Sequence, residues 1–143
     1  MKKLLLLIGL SIGALALAGC NRWPSAPYVI ENPTDNFQEY SDVALASAQE
    51  AGDTTVVYFG ASRCPGCMAL KDDIIANSDT IPDGVTVLAA DFDLAVDLKE
   101  KYWVSKKHTT VYITPDGTIA TKNTNKEHSL EDILAWVESL ETS

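Results

Sequence analysis

The chain predicts an α/β domain, with one central mixed β-sheet of about four strands flanked by helices on both faces. Three observations lead there. Thr54–Gly60 and Val85–Ala90 are uncharged runs rich in β-branched or aromatic residues, as strands covered on both sides are. The segments around them carry apolar residues at helical spacing. Near the C-terminal end, Thr109–Ile113 and Thr118–Thr121 flank Thr114-Pro115-Asp116-Gly117, where proline presets φ and glycine takes a left-handed angle. Parallel strands joined through helices, followed by a hairpin, fit one mixed sheet between helical layers.

Taken in order, the first helix is expected from Asp35. Asp35 and Gln38 have capping-box spacing, Phe37, Tyr40, Ala44 and Ala48 share a helical face, and Gly52 ends it. A second helix runs from Pro65 to about Asn77, with proline at the first turn, where its missing N–H costs nothing. Leu94, Leu98 and Tyr102 mark a short third helix. Ser129 with Asp132 caps a fourth, whose apolar face is Leu130, Ile133, Leu134, Val137 and Leu140. No internal repeat is present.

At 143 residues, with 46% hydrophobic and 22% charged residues, the composition is that of one globular domain. The formal net charge of −9 excludes electrostatic binding to nucleic acid, which needs a basic surface to displace counterions from phosphates. Three cysteines are too few for a disulfide-stapled scaffold.

The N-terminal end reads as an export signal. Met1-Lys2-Lys3 precedes the apolar run Leu4–Ala18, shorter than the ~20 residues that span a bilayer. Leu17-Ala18-Gly19-Cys20 resembles the bacterial lipobox, which implies a signal peptide over 1–19 and lipidation of Cys20, palmitate among its acyl chains. Each buried methylene contributes roughly 0.8 kcal/mol, so several chains hold a protein on a membrane. Residue 21 is Asn, not the Asp that resembles an inner-membrane retention signal. The expected location is therefore the cell envelope, on the extracytoplasmic side of a membrane, and the outer membrane facing the periplasm in a Gram-negative cell. Residues 20–34 hold three prolines and are expected to form an extended tether, in which Tyr28-Val29-Ile30 could add an edge strand. The folded domain is then 35–143.

The chemistry centres on Cys64-Pro65-Gly66-Cys67, placed between a buried strand and a helix. Two cysteines three apart at a helix start come within disulfide reach, and the helix dipole favours the thiolate of the first. Arg63 adds a positive charge beside it. A bare CxxC also suits zinc, but a structural zinc site needs about four ligands, and only His108 and His128 are histidines.

The stretch from Val56 to Cys67 resembles the strand and CxxC helix of thioredoxin-like proteins. Lys101-Tyr102-Trp103-Val104, then Thr109–Ile113 and Asp116-Gly117, resemble the family's tyrosine-containing loop, hairpin strand and turn. The resemblance covers roughly residues 35–142. It implies a thioredoxin-like fold and a thiol–disulfide oxidoreductase without an organic cofactor. Cys64 would attack and Cys67 resolve, forming a redox-active disulfide, with Arg63 and Thr109 beside the substrate. The implied partners are protein thiols or disulfides and a redox partner, with the protein itself monomeric.

Four positions depart from the family pattern: Arg63 stands where tryptophan is usual, Tyr58 where a buried aspartate sits, Ala89 where its lysine partner sits, and Thr109 where a cis-proline faces the disulfide. A non-proline cis bond costs roughly 2.5–4 kcal/mol, so the Lys107-His108-Thr109 loop is expected to differ in shape.

Two further classes of function stay open. Soft thiolates with one imidazole suit Cu(I), which would make Cys64, Cys67 and His108 a metal set; otherwise His108 is a solvent-facing loop histidine, like His128. A non-catalytic binding protein could instead use Tyr102 and Trp103, although aromatics there, as with Trp136, more often pack. Asp91 and Asp93, at a strand end, read as solvated carboxylates without a third acidic ligand.

Overall fold

The computed structural model describes residues 26–142; the leader and Cys20 lie outside the described residues. Strand β1 is Phe37–Glu39, followed by helix α1 (Asp42–Ala51), β2 (Thr54–Gly60), α2 (Pro65–Ala76), a short 3₁₀ turn (Ser78–Thr80), β3 (Val85–Asp91), α3 (Val96–Lys101), β4 (Thr109–Ile113), β5 (Ile119–Thr124) and α4 (Leu130–Glu141). The sheet order is β1-β3-β2-β4-β5. β3 runs parallel to both β1 and β2, while β4 is antiparallel to β2 and β5.

Every residue of β2 is buried, and its side chains alternate between two cores. Val56 and Tyr58 face one, with Leu70 and Ile74 of α2 and Ile133 and Val137 of α4. Val57 and Phe59 face the other, with Ala44 and Leu45 of α1, Leu98 of α3 and Tyr102 just after it. Helices therefore cover both faces, and the uncharged central strands follow from that double burial.

Several expectations are corrected. The helix expected from Asp35 begins at Asp42, because Ser41 is the true N-cap: its hydroxyl accepts the Ala44 N–H at 3.0 Å. Phe37 instead forms edge strand β1, in register with Val87 and fully buried, which gives five strands rather than about four. Phe37 and Tyr40 matched a helical period only because three strand residues are too few to show alternation. Tyr28–Ile30 forms no strand. Nor is it free tether: Tyr28 and Ile30 insert into the core, and the Tyr28 N–H donates to Asp91 Oδ2 at 2.8 Å. The start of α3 also shifts, since Asp91 accepts backbone N–H bonds from Leu94 and Ala95 and forms a turn there. Among the described residues, no helix is long and apolar enough to cross a membrane.

Candidate active site at the start of helix α2

Ala61-Ser62-Arg63 carries the chain out of β2 and turns it so that Cys64 becomes the N-cap of α2, with Pro65 in the first turn. Cys64 Sγ accepts the Cys67 N–H at 3.2 Å, an anion-favouring contact at the positive end of a helix. Cys64 and Cys67 form a disulfide, their Cα atoms 5.1 Å apart. The two sulfurs are not equivalent: Cys64 is half-buried, whereas Cys67 is fully buried. Tyr28 packs beside the site. Its hydroxyl donates to the Cys67 carbonyl at 3.2 Å, and its ring lies where a Cβ on Gly60 would be. Burial pushes the Tyr28 phenol far above its ordinary range, with Tyr58 adding to the shift.

The structure brings His108 to this site, and the expectation of a solvent-facing histidine is wrong. His108 is only 4% exposed. Its φ of +58° turns the side chain inward while its N–H donates to the Phe59 carbonyl and its own carbonyl accepts from Asn125, both at 2.8 Å. Nε2 lies 2.6 Å from the Glu127 carbonyl. A carbonyl only accepts, so Nε2 carries the hydrogen, and in the neutral ring Nδ1 holds the lone pair. Nδ1 sits on the Gly66 side, 3.4 Å from where a Cβ on that glycine would be. A ring nitrogen of His108 and the sulfurs of Cys64 and Cys67 all lie within 4.8 Å of one another. His128 remains exposed, its ring 5.9 Å from that of His108.

The other sequence candidates fall as follows. Arg63 is exposed next to Cys64. Thr109 is buried, and its hydroxyl donates to the Lys106 carbonyl at 2.8 Å and lies 3.0 Å from Thr124 Oγ1, so the side chain pins the loop. All described peptide bonds are trans, including those of the Lys107-His108-Thr109 loop. Tyr102 packs in the second core, while Trp103 is 76% exposed. Asp91 is a structural acceptor, taking the N–H groups of Tyr28 and Asp93 on its two oxygens.

Sequence reasoning missed Glu127. It is fully buried, and Oε1 accepts from the Tyr112 hydroxyl at 3.0 Å and Asn123 Nδ2 at 2.8 Å. Its Oε2 has no partner, and neither does the buried Tyr58 hydroxyl. Desolvation holds the Tyr58 phenol well above its ordinary range, and the Glu127 carboxylate pushes the same way. Nothing in Asn125-Lys126-Glu127-His128 signals a buried acid, since the run has neither apolar periodicity nor a motif.

Solved structures carry the same architecture. The chain aligns with a thioredoxin from Nicotiana alata at a TM-score of 0.61, covering 77% of this chain and 96% of that one at 17% identity. The fold is thioredoxin-like. A protein from Edwardsiella tarda named Trxlp superposes on this thioredoxin-like chain with a TM-score of 0.58 at 20% identity, over 68% of this chain and 96% of that one. Thioredoxin f2, solved in complex with ferredoxin:thioredoxin reductase, matches at 0.61 and 17% identity, over 77% and 99% of the two chains. No protein-family model matches the sequence, and no curated protein matches it. The likeness is thus one of fold, with the disulfide of this chain at the start of α2.

Proposed function

We propose that the protein is a thiol–disulfide oxidoreductase working through Cys64 and Cys67, held on the extracytoplasmic side of a membrane by lipid on Cys20. One observation carries the chemistry: a half-buried cysteine caps a helix and is disulfide-bonded to a fully buried one. The accessible sulfur is the one whose thiolate the helix favours, so attack and resolution are divided between the two.

In the reducing direction, the Cys64 thiolate attacks a substrate disulfide. A Cys64–substrate disulfide forms and one substrate thiolate leaves. Cys67, having lost its proton, then attacks Cys64 Sγ; the mixed disulfide breaks, the second substrate thiolate leaves, and the Cys64–Cys67 disulfide remains. Two electrons have passed to the substrate. Run backwards, the same steps oxidise a dithiol, and the reduction potential of the pair against its partner sets the direction. Arg63 borders the accessible sulfur, and Thr109 acts on substrate through the loop it pins. A protein dithiol or disulfide serves as redox partner, as the reductase complex of thioredoxin f2 suggests. The envelope location is supported by the basic start, the apolar run Leu4–Ala18 and the lipobox-like Leu17-Ala18-Gly19-Cys20.

Trapping tests the division of labour. Cys67→Ser should accumulate mixed disulfides through Cys64, whereas Cys64→Ser should lose disulfide exchange with insulin and trap nothing. Equal trapping by both variants, or full exchange by Cys64→Ser, counts against the proposal.

A further inference from the structure

We infer that, once its disulfide is reduced, this protein holds a Cu(I) ion on Cys64, Cys67 and His108. The inference rests on the dithiol state that the proposed exchange chemistry creates, and adds to it a binding function. Three donors converge in the structure: two sulfurs and a ring nitrogen within 4.8 Å of one another. Among the described residues, no other group of three histidine, cysteine or acidic side chains meets in this way.

His108 is held there by its backbone and its far side. The left-handed φ and the two backbone hydrogen bonds, to Phe59 and Asn125, fix where the ring starts. The Glu127 carbonyl then takes the Nε2 hydrogen at 2.6 Å and selects the tautomer. An imidazole whose outer N–H is bound to a carbonyl presents its other nitrogen as a ligand in a fixed orientation, as metal-ligating histidines do. Tyr58 stands edge-on to the ring, with centroids 5.8 Å apart, and limits its movement.

Donor type chooses the ion. Two thiolates and one imidazole are soft to borderline, which suits Cu(I). A closed zinc site needs four protein ligands, and no fourth joins these three among the described residues. Reduction by a dithiol opens the disulfide with two electrons, and each thiol gives up its proton as the ion binds, so copper stays monovalent throughout.

The test is an anaerobic competition titration of the dithiothreitol-reduced protein against a coloured Cu(I) chelator. It compares wild type, His108→Ala, His108→Gln and the double variant Cys64→Ser/Cys67→Ser, with X-ray absorption on the wild-type complex. The expected result is one Cu(I) per wild-type chain, with two sulfurs and one nitrogen around the metal. Both His108 variants should bind at least about tenfold more weakly, since even lost outer-sphere support costs about that much. The double variant should not compete. Should His108→Ala fail to fold, His108→Gln and the absorption spectrum still decide. Unchanged affinity in His108→Gln, a wild-type copper with two sulfurs and no nitrogen, or a tighter four-coordinate Zn(II) complex each overturns the copper site. Those outcomes leave the trapping behaviour of Cys67→Ser untouched, so they do not bear on the exchange chemistry. A disulfide that stays closed in excess dithiothreitol overturns both.

Discussion

The resemblance to thioredoxin-like proteins implied an aspartate where this chain has a buried Tyr58, and a buried carboxylate, Glu127, comes instead from the loop before α4. Burial raises the Tyr58 phenol, and the charge of Glu127 adds to that shift. Glu127 also organises the core end of the β4–β5 hairpin, accepting from Tyr112 and Asn123 through a single oxygen. Truncation strands both donors in a dry interior, at a cost of about 1–3 kcal/mol for each group. Glu127→Ala should therefore lower the midpoint of urea unfolding substantially, while Glu127→Gln keeps an acceptor and loses little. Equal losses in both would mean that the charge, rather than the acceptor, matters. A second residue of this kind is Asp132, whose Oδ2 accepts the N–H groups of His128 and Ser129 at 2.7 and 3.1 Å. The His128 bond is the main cause of its lowered pKa, with Ser129 acting in the same direction. The sign follows: a depressed carboxylate stabilises the fold above its unfolded value near ~3.9, and that contribution disappears as pH falls through the folded value. Acid unfolding of Asp132→Asn should accordingly be less steep than that of wild type below about pH 4.

Helix ends and strand edges follow local rules. Ser129 and Asp132 form a complete capping box at the start of α4. Ser129→Ala should cost about 1 kcal/mol in chemical denaturation, the usual value for such a cap. The segment before β1 obeys no local rule. Tyr28 is held by Gly60 and Cys67 on one side and by Asp91 on the other, so the N-terminal segment docks beside the active-site helix. Gly60→Ala places a methyl group inside the Tyr28 ring and should destabilise by about 1–3 kcal/mol, as overpacking does. Tyr28→Ala alone should cost about 3–5 kcal/mol, as for other large aromatics. In the double variant the added methyl group has room, so the combined loss should fall short of the sum. A strictly additive cycle, measured by denaturant melts, would show that the two residues do not touch in solution.

For the molecule as a whole, the docked Tyr28 leaves only a short stretch between the folded body and Cys20. Lipid on Cys20 would therefore hold the domain near the membrane surface, with the acidic domain in the aqueous phase. Cys20→Ser should release the protein from the membrane fraction or leave it unprocessed, because attachment needs the thiol. Wild-type fractionation of the Ser variant would remove the anchor from the account. The fold should survive this change intact, since the described body, from Tyr28 through α4, packs without it.

The sequence by itself determined the elements whose signals are local. The uncharged strands 54–60 and 85–90, the Pro-Asp-Gly turn, the Ser129 cap and the placement of Cys64 at a helix start can each be read within a few residues. The same locality misled at Phe37, where a three-residue edge strand copies one turn of a helical pattern. Tertiary structure alone decided that His108 turns inward to the cysteines, that Glu127 is buried, and that Tyr28 packs against Gly60 and Cys67. Each depends on partners distant in sequence: Tyr28 meets Asp91 across 63 residues, and His108 lies by the CxxC only because β4 pairs with β2. Such contacts leave no periodicity in the chain, because they arise from how the sheet brings its strand ends together rather than from the residues beside them.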